Sequence, residues 1–221
     1  MDSKIVTKSI KNTLVPLLKE HGFTVFTQRA AWRDCGSKID VIKFQSLNSH
    51  DAAIFESTTF SLIVSLGIYF KCIPDRFSKL KEKSDLVLPK EYECHFRRLL
   101  HKSIAQKELP RKSIWHIDSE GDNLEIVIQD VKNQLITQGL PWFERFENMN
   151  EVMRTLLEDR EDLNGTDGFG RNPSPIRSYL TGYIALSMGD YELAKKALNE
   201  AIGSGCFNHA YNLKADYESL V

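Results

Sequence analysis

The sequence predicts an α+β fold: a mainly antiparallel sheet of four to five strands packed with helices, then a C-terminal helical hairpin. Three observations carry this. Phe60, Leu62, Val64, Leu66, Ile68, Phe70 and Cys72 occupy every second position, which is the period of a strand. Segments 4–21 and 119–138 place apolar residues at helical spacing. Beyond the turn-rich stretch Gly165–Pro173, every periodic signal is helical.

The elements follow in order. Ile10, Leu14, Leu17 and Leu18 predict a first helix over 4–21, with Gly22 closing it and Pro16 kinking it. Phe26, Ala30 and Trp32 fall at even spacing along one strand, and Ile39 to Phe44 form the next. The connector 46–58 reads as a loop. In the long strand, Ser61, Ser65, Gly67, Tyr69 and Lys71 alternate with the apolar set, which predicts one buried and one wetter face. Residues 73–93, with Pro74 and Pro89, read as irregular with a short helix. Short strands are expected at 94–100 and 113–117.

Leu124, Val127, Ile128, Val131 and Leu135 make the stripe of a helix over 119–138. Asp118 or Ser119 would cap it, and Gly139 with Pro141 would stop it. Asn150 would cap a further helix through Leu163. Ser174-Pro175 is an N-cap followed by proline at the first helical position. Gly189-Asp190 and Gly203 to Gly205 break the tail into helices, the last over 207–220. The domain organisation this predicts is an α+β domain over 1–164, a linker over 165–173 and a helical appendage over 174–221.

The chain has 221 residues, 42% of them hydrophobic and 27% charged, enough to bury a core. That excludes a disordered chain, a collagen-like repeat and a disulfide-dense mini-protein. A net charge of −1 gives no global pull toward nucleic acid or anionic lipid. The charge is unevenly spread, however. Residues 71–112 hold 12 basic and 6 acidic residues, whereas 118–168 hold 4 basic and 13 acidic. No run approaches the ~20 apolar residues of a membrane span, and the N-terminus lacks a secretory pattern. Cys35, Cys72, Cys94 and Cys206 then read as reduced, mostly buried thiols of a cytoplasmic protein.

Catalytic equipment is sparse. The chain carries no HExxH, CxxC, GxSxG, GxxxxGK[ST] or GxGxxG. Cys94 and His95 are neighbours on a strand, so they point to opposite faces, read as a core thiol and a surface imidazole. Asp40-x-x-Lys43 is similar to part of a restriction-type nuclease site, but the second acid is missing because position 41 is Val. Trp115, between Ile114 and Ile117, reads as core, and Trp142-Phe143 as a wedge between helices. No metal or other cofactor is implied. The candidate binding residues are Arg97, Arg98 and His116 on the basic side and Glu158, Asp159, Glu161 and Asp162 on the acidic side.

Two resemblances add to this. The segments LLKEHGF (17–23), IDVIKFQS (39–46), FSLIVSLGIYF (60–70), ECHFRRL (93–99), IWHI (114–117) and GLPWFERF (139–146) occur in an order that resembles the family catalogued as domain of unknown function 4304. The resemblance covers about residues 5–160. It implies a bacterial origin and a fold, and it supplies no catalytic residue. Residues 175–206 resemble a single tetratricopeptide repeat through Gly182, Gly189, Asp190-Tyr191, Ala194 and Ala201. Ser178, Ala185, Leu198 and Cys206 depart from that repeat's usual Trp, Tyr, Phe and Pro. One repeat cannot bury its own face, so it is expected to dock on its neighbours.

These readings favour a non-enzymatic module that binds a protein partner, in the class of immunity or defence-associated proteins. An acidic surface within 118–168 would suit a basic nuclease toxin. The alternatives are a nucleic-acid binder using the basic 76–112 segment, and an enzyme whose residues converge only in the fold. No membrane partner is implied, and no oligomeric state is set.

Overall fold

The computed structural model describes residues 1–74, 82–83, 86–106, 111–158, 172–207 and 212–220. Its centre is a five-stranded antiparallel sheet in the order β1-β2-β3-β4-β7, formed by Val25–Phe26, Ala30–Asp34, Lys38–Ser46, Leu62–Phe70 and Phe96–Leu99. A second, two-stranded ladder pairs β5 (Glu82–Lys83) with β6 (Leu86–Val87). The chain divides into two compact units. One holds residues 1–34, 40–67 and 98–144, and the other 35–39, 68–97 and 145–221.

In the first unit, α1 (Ser3–Glu20) begins at Asp2, whose side chain accepts from the Lys4 N–H. It buries Val6, Ile10, Leu14, Leu17 and Leu18 and packs on α3 (Leu124–Gln134). The helix continues past Pro16 and ends in a Schellman turn: Gly22 N–H donates to Lys19 O and Phe23 N–H to Leu18 O. Gly22 takes φ +82°, which only glycine adopts at little cost, and Phe23 enters the core.

The 26–32 stretch expected as one strand is instead a hairpin. β1 and β2 pair Val25 with Trp32 and Phe26 with Ala31 across a tight turn at 27–29. Even spacing survives a turn that returns the chain in register, so periodicity could not expose it. The 46–58 loop contains α2 (Ser49–Ile54), capped by Asn48, whose side chain accepts from Asp51 N–H. Around it Leu47, Ala52 and Ile114 form a small core with Phe55 and Ile63 against it.

β4 differs from its expectation in one respect. Its period is right, but both faces are covered: Ser61, Ser65 and Tyr69 are buried alongside Leu62, Val64 and Leu66. Small and neutral residues on the second face tolerate burial when neighbours satisfy them, as Ile117 N–H does for the Ser61 hydroxyl. Of the expected strand at 113–117, one bridge forms, Trp115 to Leu62, with hydrogen bonds of 2.9 Å in both directions.

Helix α3 begins at Asn123 rather than Asp118 or Ser119, and Gly139 with Pro141 does not end the helical path. The last turn widens into a π-turn over Leu135–Gly139, with Leu140 N–H donating to Leu135 O, and α4 (Leu140–Arg145) follows. The shifted pattern absorbs the donor that Pro141 lacks. Phe143, on α4, packs edge-on against Phe23 at 6.1 Å.

In the second unit, Cys94 and His95 are both buried, correcting the expected surface imidazole. His95 Nδ1 accepts from Phe70 N–H at 2.9 Å, and the ring stacks on Tyr69 at 4.8 Å. The imidazole is a satisfied core group. The thiols are also less buried than expected: Cys94 alone is buried, Cys35 and Cys72 are half-buried and Cys206 is exposed.

Helix α5 (Met149–Glu158) starts at Asn148, whose side chain accepts from Asn150 N–H, so Asn150 is not the cap. Its C-terminal carbonyls at Thr155 and Leu156 accept from the buried Arg177 guanidinium of α6 (Pro175–Met188). Ser174 caps α6, Pro175 opens it, Gly189 closes it at φ +80°, and Asp190 caps α7 (Tyr191–Gly203). A β-carbon at Gly182 would overlap Leu198, which explains the small residue where the two helices cross. Tyr183 donates to Asp216 of α8 (Leu213–Glu218) at 2.7 Å, and burial followed by this bond raises its pKa.

Glu151 of α5 is gripped by Arg154 and Arg145, which hold its carboxyl at about 2. A depressed carboxyl contributes stability above its unfolded value, lost as pH falls toward the folded one. Glu151→Gln is therefore expected to narrow the gap in urea midpoint between pH 7 and pH 3. An unchanged gap would show that these ion pairs carry no net stability.

Candidate functional site

The chain from β7 to α3 builds a recess at the surface. Its framework starts at Trp115, fully buried, whose indole N–H donates to Asp130 Oδ2 at 2.7 Å. Asp130 also accepts from Ser103 N–H, the Ser103 hydroxyl and Gln134 Nε2. One buried carboxylate thus ties the loop at 103, the 115 bridge and α3 together. Main-chain pairing at Trp115 sends the next side chain, His116, the opposite way.

Gln106 then behaves like a strand partner for His116. Its Oε1 accepts from His116 N–H and its Nε2 donates to His116 O, both at 2.8 Å. Asn123 Nδ2 donates to the same carbonyl at 2.9 Å, while its Oδ1 accepts from Asp118 N–H. The Asp118 carboxylate turns onto the backbone N–H groups of Gly121, Asp122 and Asn123. Desolvation pushes its pKa up, but these donors outweigh it and hold the carboxyl below its ordinary value.

The result is a groove of about 640 Å³. Ile104, Ala105, Ile126 and Val127 supply its apolar lining, and Gln106, His116, Asp118 and Asn123 its polar one. Ile126 is 62% exposed, the most exposed of the large hydrophobic residues described. Around the start of α3, Glu120, Asp122 and Glu125 are exposed and form no ion pair with a described residue.

Behind the groove lies a contact that sequence spacing could not reveal: Ser57 Oγ stands 2.9 Å from His116 Nδ1, 59 residues away. Ser57 follows Glu56, whose φ of +49° makes a sharp turn. The pair lacks the rest of a nucleophile–base arrangement. Ser57 Oγ is shared with Ser61 Oγ at 2.8 Å, and Ser61 accepts from Ile117 N–H. The carboxylate lining the same groove is filled by backbone N–H groups, not directed at the imidazole. These hydroxyls fasten the α2–β4 turn to residues 116–117, and His116 Nε2 makes no hydrogen bond with a described residue.

Of the seven candidate residues, His116 is the one that lines the groove. Arg97 pairs with Glu91 at 2.8 Å, and Arg98, next to it on β7, lies on the opposite face. Glu158 pairs with Arg154 at 3.2 Å. Asp159, Glu161 and Asp162, with most of the 165–173 linker, lie outside the described residues. Gln106, Asn123 and Ile126 carry no motif. Ile126 alone left a trace, as an aliphatic residue off the helix stripe. Among the described residues no three His, Cys, Asp or Glu side chains gather as metal ligands, and no helix is long and apolar enough to cross a membrane.

An α+β domain with a five-stranded antiparallel sheet, and a polar-framed, apolar-lined groove beside α3, is the class this structure defines. The chain belongs to the family described as Domain of unknown function (DUF4304), whose model matches residues 14–145, a span that contains the sheet and the groove. No curated protein and no solved structure matches the chain.

Proposed function

We propose that the protein is a non-enzymatic binding module that receives a basic protein partner at the groove beside α3. The observation that carries this is the exposed Ile126 in the groove's apolar lining, with three exposed acids close by in the chain at the start of α3. The acids of α5 are neutralised by Arg145 and Arg154, whereas Glu120, Asp122 and Glu125 face solvent beside an exposed Ile126. An apolar anchor inside a polar rim, here Gln106, His116 and Asn123, is the usual anatomy of a protein contact. The polar groups around His116 are committed to holding the frame, which suits recognition better than turnover. A basic nuclease held inactive by an immunity or defence-associated protein fits this chemistry, because complementary charge speeds association.

The test is affinity capture with the full chain from nuclease-treated host lysate, comparing the native protein with Ile126→Asp and with Glu120→Lys/Asp122→Lys/Glu125→Lys. A stoichiometric basic partner is expected with the native chain. Loss of an interface anchor weakens binding by roughly tenfold to a hundredfold, and charge reversal slows association and removes its salt dependence. A partner retained equally by both variants would place the contact elsewhere.

A further inference from the structure

The segment after β7 doubles back on itself. Lys102 N–H donates to Lys112 O at 2.8 Å, which lays residue 102 beside residue 112. That pairing brings His101 and Lys102 next to Arg111 and Lys112, and Arg98 and Lys112 both stand close enough to act on His101. Lys102 is already engaged, with Nζ donating to Ile114 O at 2.8 Å and Gln106 Oε1 at 3.1 Å. Arg111 lies over the Phe55 ring, 4.2 Å from its centre, while remaining exposed. Arg98 and Lys112 form no ion pair with a described residue. Their effect is felt at His101, whose pKa is lowered by burial and then by these two cations. Like charges held together repel, and a bound anion relieves that cost.

We propose that Arg98, His101, Arg111 and Lys112 form a track for the phosphodiester backbone of single-stranded nucleic acid, with Arg111 on Phe55 as a platform for one base. The cations supply the sequence-independent attraction to phosphate. The guanidinium on an aromatic ring supplies a flat face, which an unstacked base can use and a paired base in a duplex cannot. The patch lies in the segment with 12 basic and 6 acidic residues, and it uses side chains other than those lining the groove.

The test uses the full chain and a fluorescein-labelled dT12 oligonucleotide, followed by anisotropy as salt rises from about 20 to about 200 mM, over which phosphate contacts weaken measurably. Phosphate contacts from the three permanent cations, Arg98, Arg111 and Lys112, give a slope of log K against log salt near −2, at about −0.7 per contact. Arg98→Glu/Lys112→Glu is expected to weaken binding at least tenfold and to flatten the slope by about 1.4, two contacts' worth. The control Lys8→Glu/Lys11→Glu on α1 should bind as the native chain does. Thermal melting checks the fold, and Arg98→Gln/Lys112→Gln serves if the reversal lowers it. No binding at low salt, equal loss in the control, equal affinity for the matching duplex, or displacement by pyrophosphate at the same phosphate concentration would each overturn the assignment.

Discussion

Asp130→Ala is expected to cost roughly 3–5 kcal/mol of stability, because it strands several buried donors at about 1–3 kcal/mol each. The side chain is 4% exposed and collects four donors from three parts of the chain. Alanine leaves the Trp115 indole N–H, the Ser103 N–H and hydroxyl, and the Gln134 amide facing a cavity. Each orphaned buried donor costs about 1–3 kcal/mol, less what relaxation and entering water recover. Asp130→Asn keeps one acceptor oxygen and replaces the other with an NH2 that opposes a donor, so an intermediate loss is expected. Denaturant midpoints at constant slope measure both. The same bonds hold Ser103, two residues before the groove's Ala105. Asp130→Ala should therefore loosen the groove as well, read as faster amide exchange at residues 103–106. A loss below about 1 kcal/mol, the net worth of one ordinary hydrogen bond, would mean that the network is dispensable.

How much of this was legible in the sequence depends on the range of the signal. Local signals were read correctly: the period of β4, the Ser174-Pro175 start of α6, the Gly189-Asp190 break and the stripe of α3. Signals that need a partner were not. The alternation in β4 fixes its period, yet whether its second face is wet depends on what packs there. Gly139-Pro141 carries a stop signal that the π-turn overrides, because tertiary packing outweighs propensity. The site shows the same division. His116 stood out as an ionisable residue near a core tryptophan. Its frame is made by Gln106 and Asn123, amides ten and seven residues away that reveal themselves only when the loop closes. Within the acidic segment, the described acids of α5 are paired with neighbouring arginines, which net charge along the chain does not reveal.

Arg33 and Asp40 provide the second large effect, and it bears on the nuclease-like reading of Asp40-x-x-Lys43. The Asp40 side chain is fully buried. Arg33 Nε and Nη2 reach its Oδ2 at 2.9 and 2.7 Å, while Arg33 Nη1 donates to His21 O. The guanidinium also sits 5.1 Å from the centre of Phe23 and 5.7 Å from that of Phe143. A carboxylate so enclosed is a poor metal ligand and a good structural counter-ion. Arg33→Met should cost about 3–5 kcal/mol, since it removes the cation that holds the buried Asp40 Oδ2 through two hydrogen bonds. Asp40→Leu alone should cost a similar amount. The double variant Arg33→Met/Asp40→Leu should recover most of the loss, because an apolar pair of similar volume is often as stable as a buried ion pair. A catalytic Asp40 predicts the reverse pattern: single variants of near-native stability and no recovery in the double. The sign of the coupling in a denaturant-based double-mutant cycle decides between them.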